Sequence, residues 1–174
     1  NWIDESLDVA GTKERHFVQG NHEVWLDKFV TRYPYLSQYK TEKALKLKER
    51  GYKFHPYNRK KTLRIGKVSF THGKYTTKYH SYKHLDHYGQ NIMYGHTHDL
   101  QRHTKTVAGG TLSAWSLGCL KDIEHDEDWL GGRLTNWNHA FAIIDWFKNG
   151  NFVVNIVEIV KGKATVWGKL IEGK

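Results

Sequence analysis

The sequence predicts an α/β fold, and three observations carry that prediction. Short apolar runs at 16–19, 68–71 and 91–94 each end in a turn that bears histidine: Gly20-Asn21-His22-Glu23, His72-Gly73 and Gly95-His96-Thr97-His98. Segments with helical spacing of apolar residues lie between these runs. The last third of the chain reads instead as strands joined by hairpin turns. Open α/β sheets build their sites on loops at the carboxyl ends of strands, which singles out these histidines.

Taken in order, residues 1–12 read as the end of a helix and a turn at Gly11. Residues 16–19 make a short buried strand, and Gly20 allows the turn that exposes Asn21 and His22. From Glu23 a helix runs to about Arg32 on Val24, Leu26, Phe29 and Val30, and Pro34 stops it. A second helix covers 42–50, with Ala44, Leu45 and Leu47 inward, Gly51 as its cap, and Lys43, Lys46 and Lys48 on a solvated face. Residues 62–65 and 68–71 flank the hairpin signal Gly66-Lys67. The stretch 80–87 is helical and puts His80, His84 and His87 on one face. These read as exposed histidines, with a helical metal site as the alternative. Residues 91–94 are the next strand, and Gly95 lets the backbone turn away from it.

Beyond His98, strands at 102–108 and 111–117 flank Gly109-Gly110. The acidic stretch 122–128 reads as a solvated loop, with cation binding as the alternative. Strands at 140–146, 152–160 and 164–170 are joined by the turn signals Asn149-Gly150 and Lys161-Gly162. No linker or repeat interrupts the chain, so a single domain over 1–174 is expected.

Composition narrows the class. A chain of 174 residues with 39% hydrophobic and 14% aromatic content can bury a core and is not of the disordered type. No apolar stretch is long enough to span a bilayer, and no signal peptide is visible. The single cysteine, Cys119, excludes an internal disulfide and sits in an apolar context that suits buried filler. A cytoplasmic location fits. The net charge of +9 points to anionic partners, nucleic acid or phosphorylated small molecules, with a well-solvated surface as the plainer explanation.

Gly20-Asn21-His22-Glu23, Thr71-His72-Gly73 and Gly95-His96-Thr97-His98 together resemble the calcineurin-like metallophosphoesterases, in that family's order. Asn136-Trp137-Asn138-His139-Ala140-Phe141, entering a hairpin, is similar to the C-terminal part of small phage and bacterial members. The resemblance implies a β-sandwich flanked by helices and a phosphoesterase acting on phosphomono- or phosphodiesters through two divalent metals (Mn, Fe, Zn or Ni). It implies Asn21, His72 and His96 as ligands of one metal and His98 as a ligand of the other. His22 would stand beside the scissile phosphate, to stabilise charge or protonate the leaving group, and a histidine suits that role because it titrates near neutral pH. Glu23 fits a supporting or helix N-terminal role.

The family's first two strand ends, an Asp-x-His and a Gly-Asp, have no counterpart before Gly20. The expectation is therefore a member lacking its N-terminal strands. The carried-over ligands are one amide and three imidazoles, with no carboxylate to offset two dications. Asp4, Asp8, Asp27 and Asp99 are the candidates to substitute, and none follows a recognisable strand end. Zero or one metal is expected in this chain, with negligible activity alone. Self-association or pairing with a segment that supplies the missing strands is expected too. The competing class is a catalytically inactive nucleic-acid-binding or interaction module that keeps the fold.

Overall fold

A computed structural model describes residues 2–58, 60–123 and 128–173. The chain is mixed α/β, its strands lie in several open sheets, and it divides into two units, one up to Leu63 and one from Arg64 onward.

The first unit contains helix α1 (Trp2–Val9), strand β1 (Arg15–Val18), helix α2 (Asn21–Arg32), a 3-10 turn (Pro34–Tyr39), the short helix α3 (Thr41–Ala44) and strand β2 (Tyr52–His55). β1 and β2 pair in parallel, Arg15 opposite Tyr52 and Val18 opposite His55. Carboxylates tie the pieces together. Asp4 accepts from Arg50 Nε and Nη2 at 2.8 and 3.0 Å and from the Tyr52 hydroxyl at 3.0 Å. Asp27 accepts from Gln19 Nε2 and from the Thr41 amide, both at 2.7 Å.

Several expectations change in this unit. Gly20 is extended (φ −92°, ψ 178°) and caps α2, so Asn21 is already helical. One expectation holds: Glu23 accepts from the Gly20 amide at 2.9 Å, the helix N-terminal role expected of it. Of the apolar positions on α2, Val30 is buried, but Leu26 and Phe29 are exposed. The second helix shrinks to α3, because Lys46 turns left-handed (φ 50°) and breaks the run before Gly51 ends it at φ 76°. Leu47 is buried there, while Ala44 and Leu45 face solvent. β2 was not anticipated.

The second unit is built on a five-stranded sheet of β3 (Leu63–Ile65), β4 (Val68–Phe70), β5 (Ile92–Tyr94), β6 (Leu100–Val107) and β7 (Gly110–Leu117), in the order β3-β4-β5-β7-β6. β4, β5 and β7 run parallel, and β6 returns antiparallel to β7. Alternation along β5 divides the core. Ile92 and Tyr94 pack with Ala114 against Leu85 of helix α4 (His80–Tyr88). On the other face Met93, Val68 and Trp115 meet Ile144 of β8 (Ala140–Trp146) and Phe152 and Val154 of β9 (Phe152–Glu158). β8 and β9 form their own antiparallel hairpin.

The stretch 164–170, expected as one strand, is a hairpin of β10 (Lys163–Val166) and β11 (Lys169–Glu172). It turns at Trp167 and Gly168, both left-handed (φ 47° and 75°). Of the acidic stretch, 124–127 lie outside the described residues. No helix among the described residues is long and apolar enough to cross a membrane.

Candidate functional site

The loops that follow β4 and β5 lie side by side because their strands are parallel neighbours. The Gly95 amide donates to the His72 carbonyl at 3.1 Å, which extends the pairing past the strand ends. The loops thereby bring two imidazoles together: His72 Nε2 and His96 Nδ1 are 3.0 Å apart, with ring centroids at 4.9 Å and planes at 65°. Gly73 makes the approach possible. It is left-handed (φ 113°), and a Cβ there would lie 2.7 Å from His96 Cβ and 3.1 Å from Tyr94 Cδ2. The backbone turns at Gly95 as expected, its carbonyl accepting from the His98 amide at 3.3 Å, but Gly95 is not itself left-handed. The left-handed residue of its loop is His98 (φ 61°).

A buried polar chain fixes the second loop from beneath. His80 Nε2 stands 2.8 Å from Asp99 Oδ2, and His80 Nδ1 stands 2.6 Å from the Tyr94 hydroxyl. If Nε2–H donates to the carboxylate, Nδ1 accepts from Tyr94. The Ser116 hydroxyl donates to Asp99 Oδ1 at 3.2 Å and lies 2.9 Å from Thr97 Oγ1. Burial pushes Asp99 up, but the hydrogen bonds of His80, Thr97 and Ser116 outweigh it and hold the carboxyl below its usual range.

The first loop is fixed from the same helix. His84 Nδ1 donates to the His80 carbonyl at 2.7 Å, so its Nε2 accepts from the amide of Lys74 at 2.9 Å. Burial pushes this imidazole down to about 4, which keeps it neutral. Its ring stacks on Tyr94 at 3.7 Å. His80 and His84 are thus buried structural residues, not the exposed histidines expected. Their ring nitrogens are committed, so the helical metal site does not form, and only His87 stays outside.

The remaining site residues are placed as follows. Asn21 is half-buried in the first turn of α2, and His22 beside it is exposed, its ring stacked on Trp25 at 4.9 Å. Both belong to the first unit. The His98 carbonyl accepts from the Asn138 amide at 2.8 Å, and its ring lies edge-on to Trp137 at 4.9 Å. Cys119 is half-buried, its thiol 3.7 Å from the Asn138 carbonyl oxygen.

Metal-bound imidazole nitrogens lie about 2.0–2.1 Å from the ion, which puts two ligands at right angles about 3 Å apart. The His72–His96 spacing fits two ligands of one metal. The four candidate carboxylates are all engaged elsewhere: Asp4 with Arg50, Asp8 with Arg15, Asp27 with Gln19 and Thr41, Asp99 with His80. Among the described residues no group of three or more His, Cys, Asp or Glu side chains is placed to hold a metal ion.

A second imidazole pair escaped the sequence reading. His16 Nδ1 and His55 Nε2 are 2.8 Å apart across the β1–β2 pair, and Glu14 Oε2 lies 3.3 Å from His16 Nε2. Burial, then His16 and Lys53, push His55 below its usual range. Nothing in the spacing of residues 16 and 55 marks the pair, since it depends on β2. Compared with protein-family models, curated proteins and solved structures, the chain matches none.

Proposed function

We propose that this chain carries the histidine half of a metal-dependent phosphoesterase site of the calcineurin-like type, acting on phosphomono- or phosphodiesters. The observation that supports this reading is the His72–His96 pair, two ring nitrogens 3.0 Å apart at the carboxyl ends of adjacent parallel strands. Loops in that position are where open α/β sheets build sites. A bound dication would supply Lewis-acid polarisation of a phosphoryl oxygen. The chain's own residues would do the rest. The neutral His84 holds the loop of His72, and the His80–Asp99 pair holds the loop of His96.

Titration calorimetry with Zn2+ or Mn2+ tests the pair. At most one ion per chain is expected, and His72→Ala or His96→Ala abolishes its binding. Binding unchanged in both variants overturns the assignment, as does full binding of two tight metals. Hydrolysis of bis(p-nitrophenyl) phosphate tests the activity. Turnover is expected once a segment with Asp-x-His and Gly-Asp strand ends is supplied in cis or in trans, and a doubly metallated but inactive complex would rule the activity out.

A further inference from the structure

The opposite end of the same sheet holds a cavity of about 1060 Å³. It is lined by Lys67, which precedes β4, Asn91, which precedes β5, Thr111 near the start of β7, and Phe152 of β9. None of its lining residues belongs to the loops of His72 or His96.

Its chemistry is one-sided. Arg64, Lys67 and Arg102 line it, and no Asp or Glu does. Each cation rests on a neutral group. Arg64 Nε donates to the Gly66 carbonyl at 3.1 Å, Lys67 Nζ donates to Asn151 Oδ1 at 2.7 Å, and the Arg102 guanidinium lies 5.6 Å from the Trp115 ring. Elsewhere basic side chains meet carboxylates: Arg50 with Asp4, Lys53 with Glu14, Lys163 with Glu172. Three like charges around one hollow repel one another, and an anion relieves that repulsion.

The walls add a second requirement. Trp115 and Phe152 line the cavity with ring centroids 6.0 Å apart, and Phe147, 52% exposed, lines it too. An exposed aromatic ring in a cavity that is also lined by cations offers a stacking platform for a flat heterocycle. The volume exceeds what an inorganic anion fills and lies at the upper end of small-ligand sites.

We propose that this cavity is a nucleotide-binding site, in which Arg64, Lys67 and Arg102 take the phosphate and Phe147 stacks the base. The site is separate from the histidine pair and stands whether or not that pair holds a metal. Two sources present the same chemistry, a free mononucleotide and one nucleotide of a single strand.

The test is fluorescence or calorimetric titration of the full chain with adenosine 5′-monophosphate, adenosine, inorganic phosphate and a labelled ten-nucleotide oligothymidylate. Adenosine 5′-monophosphate is expected to bind at least tenfold more tightly than either adenosine or phosphate alone. The double variant Lys67→Gln, Arg102→Gln should weaken it tenfold or more, Phe147→Ala should weaken it severalfold, and His96→Ala should leave it unchanged. Lys67, Arg102 and Phe147 are exposed, so their variants are expected to fold, and circular dichroism melting checks this for all the variants. If the oligonucleotide binds more tightly and loses affinity steeply with salt, the source is a strand. If the mononucleotide binds more tightly, the source is free. Saturable binding of neither nucleotide overturns the proposal, as does equal affinity for adenosine and its monophosphate, or an unaffected double variant.

Discussion

Tyr94 connects three roles in one side chain. Its ring stacks on His84, its hydroxyl reaches His80, and its backbone ends β5 just before the loop of His96. Burial pushes its hydroxyl up, so it stays protonated at any ordinary pH. Tyr94→Phe keeps the stack but leaves buried His80 Nδ1 without its hydrogen-bond partner. A lost partner at a buried polar atom costs about 1–3 kcal/mol, and urea unfolding should register that loss. A stability within error of wild type would mean that water or another group replaces the hydroxyl. This network was half legible. Spacing alone put His80 and His84 on one helix face. That the face would be buried depends on Tyr94 and Asp99 arriving from β5 and its loop, and no local pattern contains that. Asp99 likewise stood in view as a spare carboxylate, and only the fold reveals His80 as its partner.

At the scale of elements, the closeness of the β4 and β5 loops rests on one glycine. Gly73→Ala would force a Cβ to 2.7 Å from that of His96 at a backbone φ of 113°, so the loops must part. Strain of this kind costs roughly 1–3 kcal/mol. The expected result is a lowered thermal midpoint together with loss of Zn2+ binding, measured side by side. A variant that loses stability but binds metal as before would show that the imidazoles do not need this approach. The same elements explain what sequence could reveal. The strands ending at Tyr94 and Phe70, the Gly66-Lys67 turn and the β6–β7 pairing follow from apolar runs bounded by turn residues, and all are present. The helix expected over 42–50 failed because helical spacing says nothing about Lys46 adopting a left-handed turn. β2 was missed because Tyr52-Lys53-Phe54-His55 is too short to stand out, and its pairing with β1 joins residues 37 positions apart. The hairpin within 164–170 was hidden because its turn uses Trp167, a residue that rarely takes φ near 47°.

Across the whole molecule, histidine decides the response to acid. The chain is already at +9 with its twelve histidines neutral, so each proton they take adds to an uncompensated charge. His84 sets the sign. Its ordinary value is 6.5 and the folded protein holds it near 4, because burial disfavours the cation and the Lys74 amide occupies Nε2. Above pH 6.5 both folded and unfolded chains carry it neutral, and its contribution is fully present. As pH falls from 6.5 towards 4 the unfolded chain binds a proton that the folded chain refuses, so stability falls through that window. The full loss is on the order of 3 kcal/mol. His55, also lowered by burial, acts with the same sign. The carboxyls of Asp4, Glu14 and Asp99, all held below their ordinary values, withdraw their support only as pH falls below about 4. The histidine loss therefore comes first. Urea unfolding at pH 7.5 and pH 5.0 should show a clearly lower midpoint at pH 5.0. His84→Gln, which cannot protonate in this range, should be less stable at pH 7.5 but lose less on acidification. Equal midpoints at the two pH values, or an undiminished pH dependence in His84→Gln, would place the acid response in other groups.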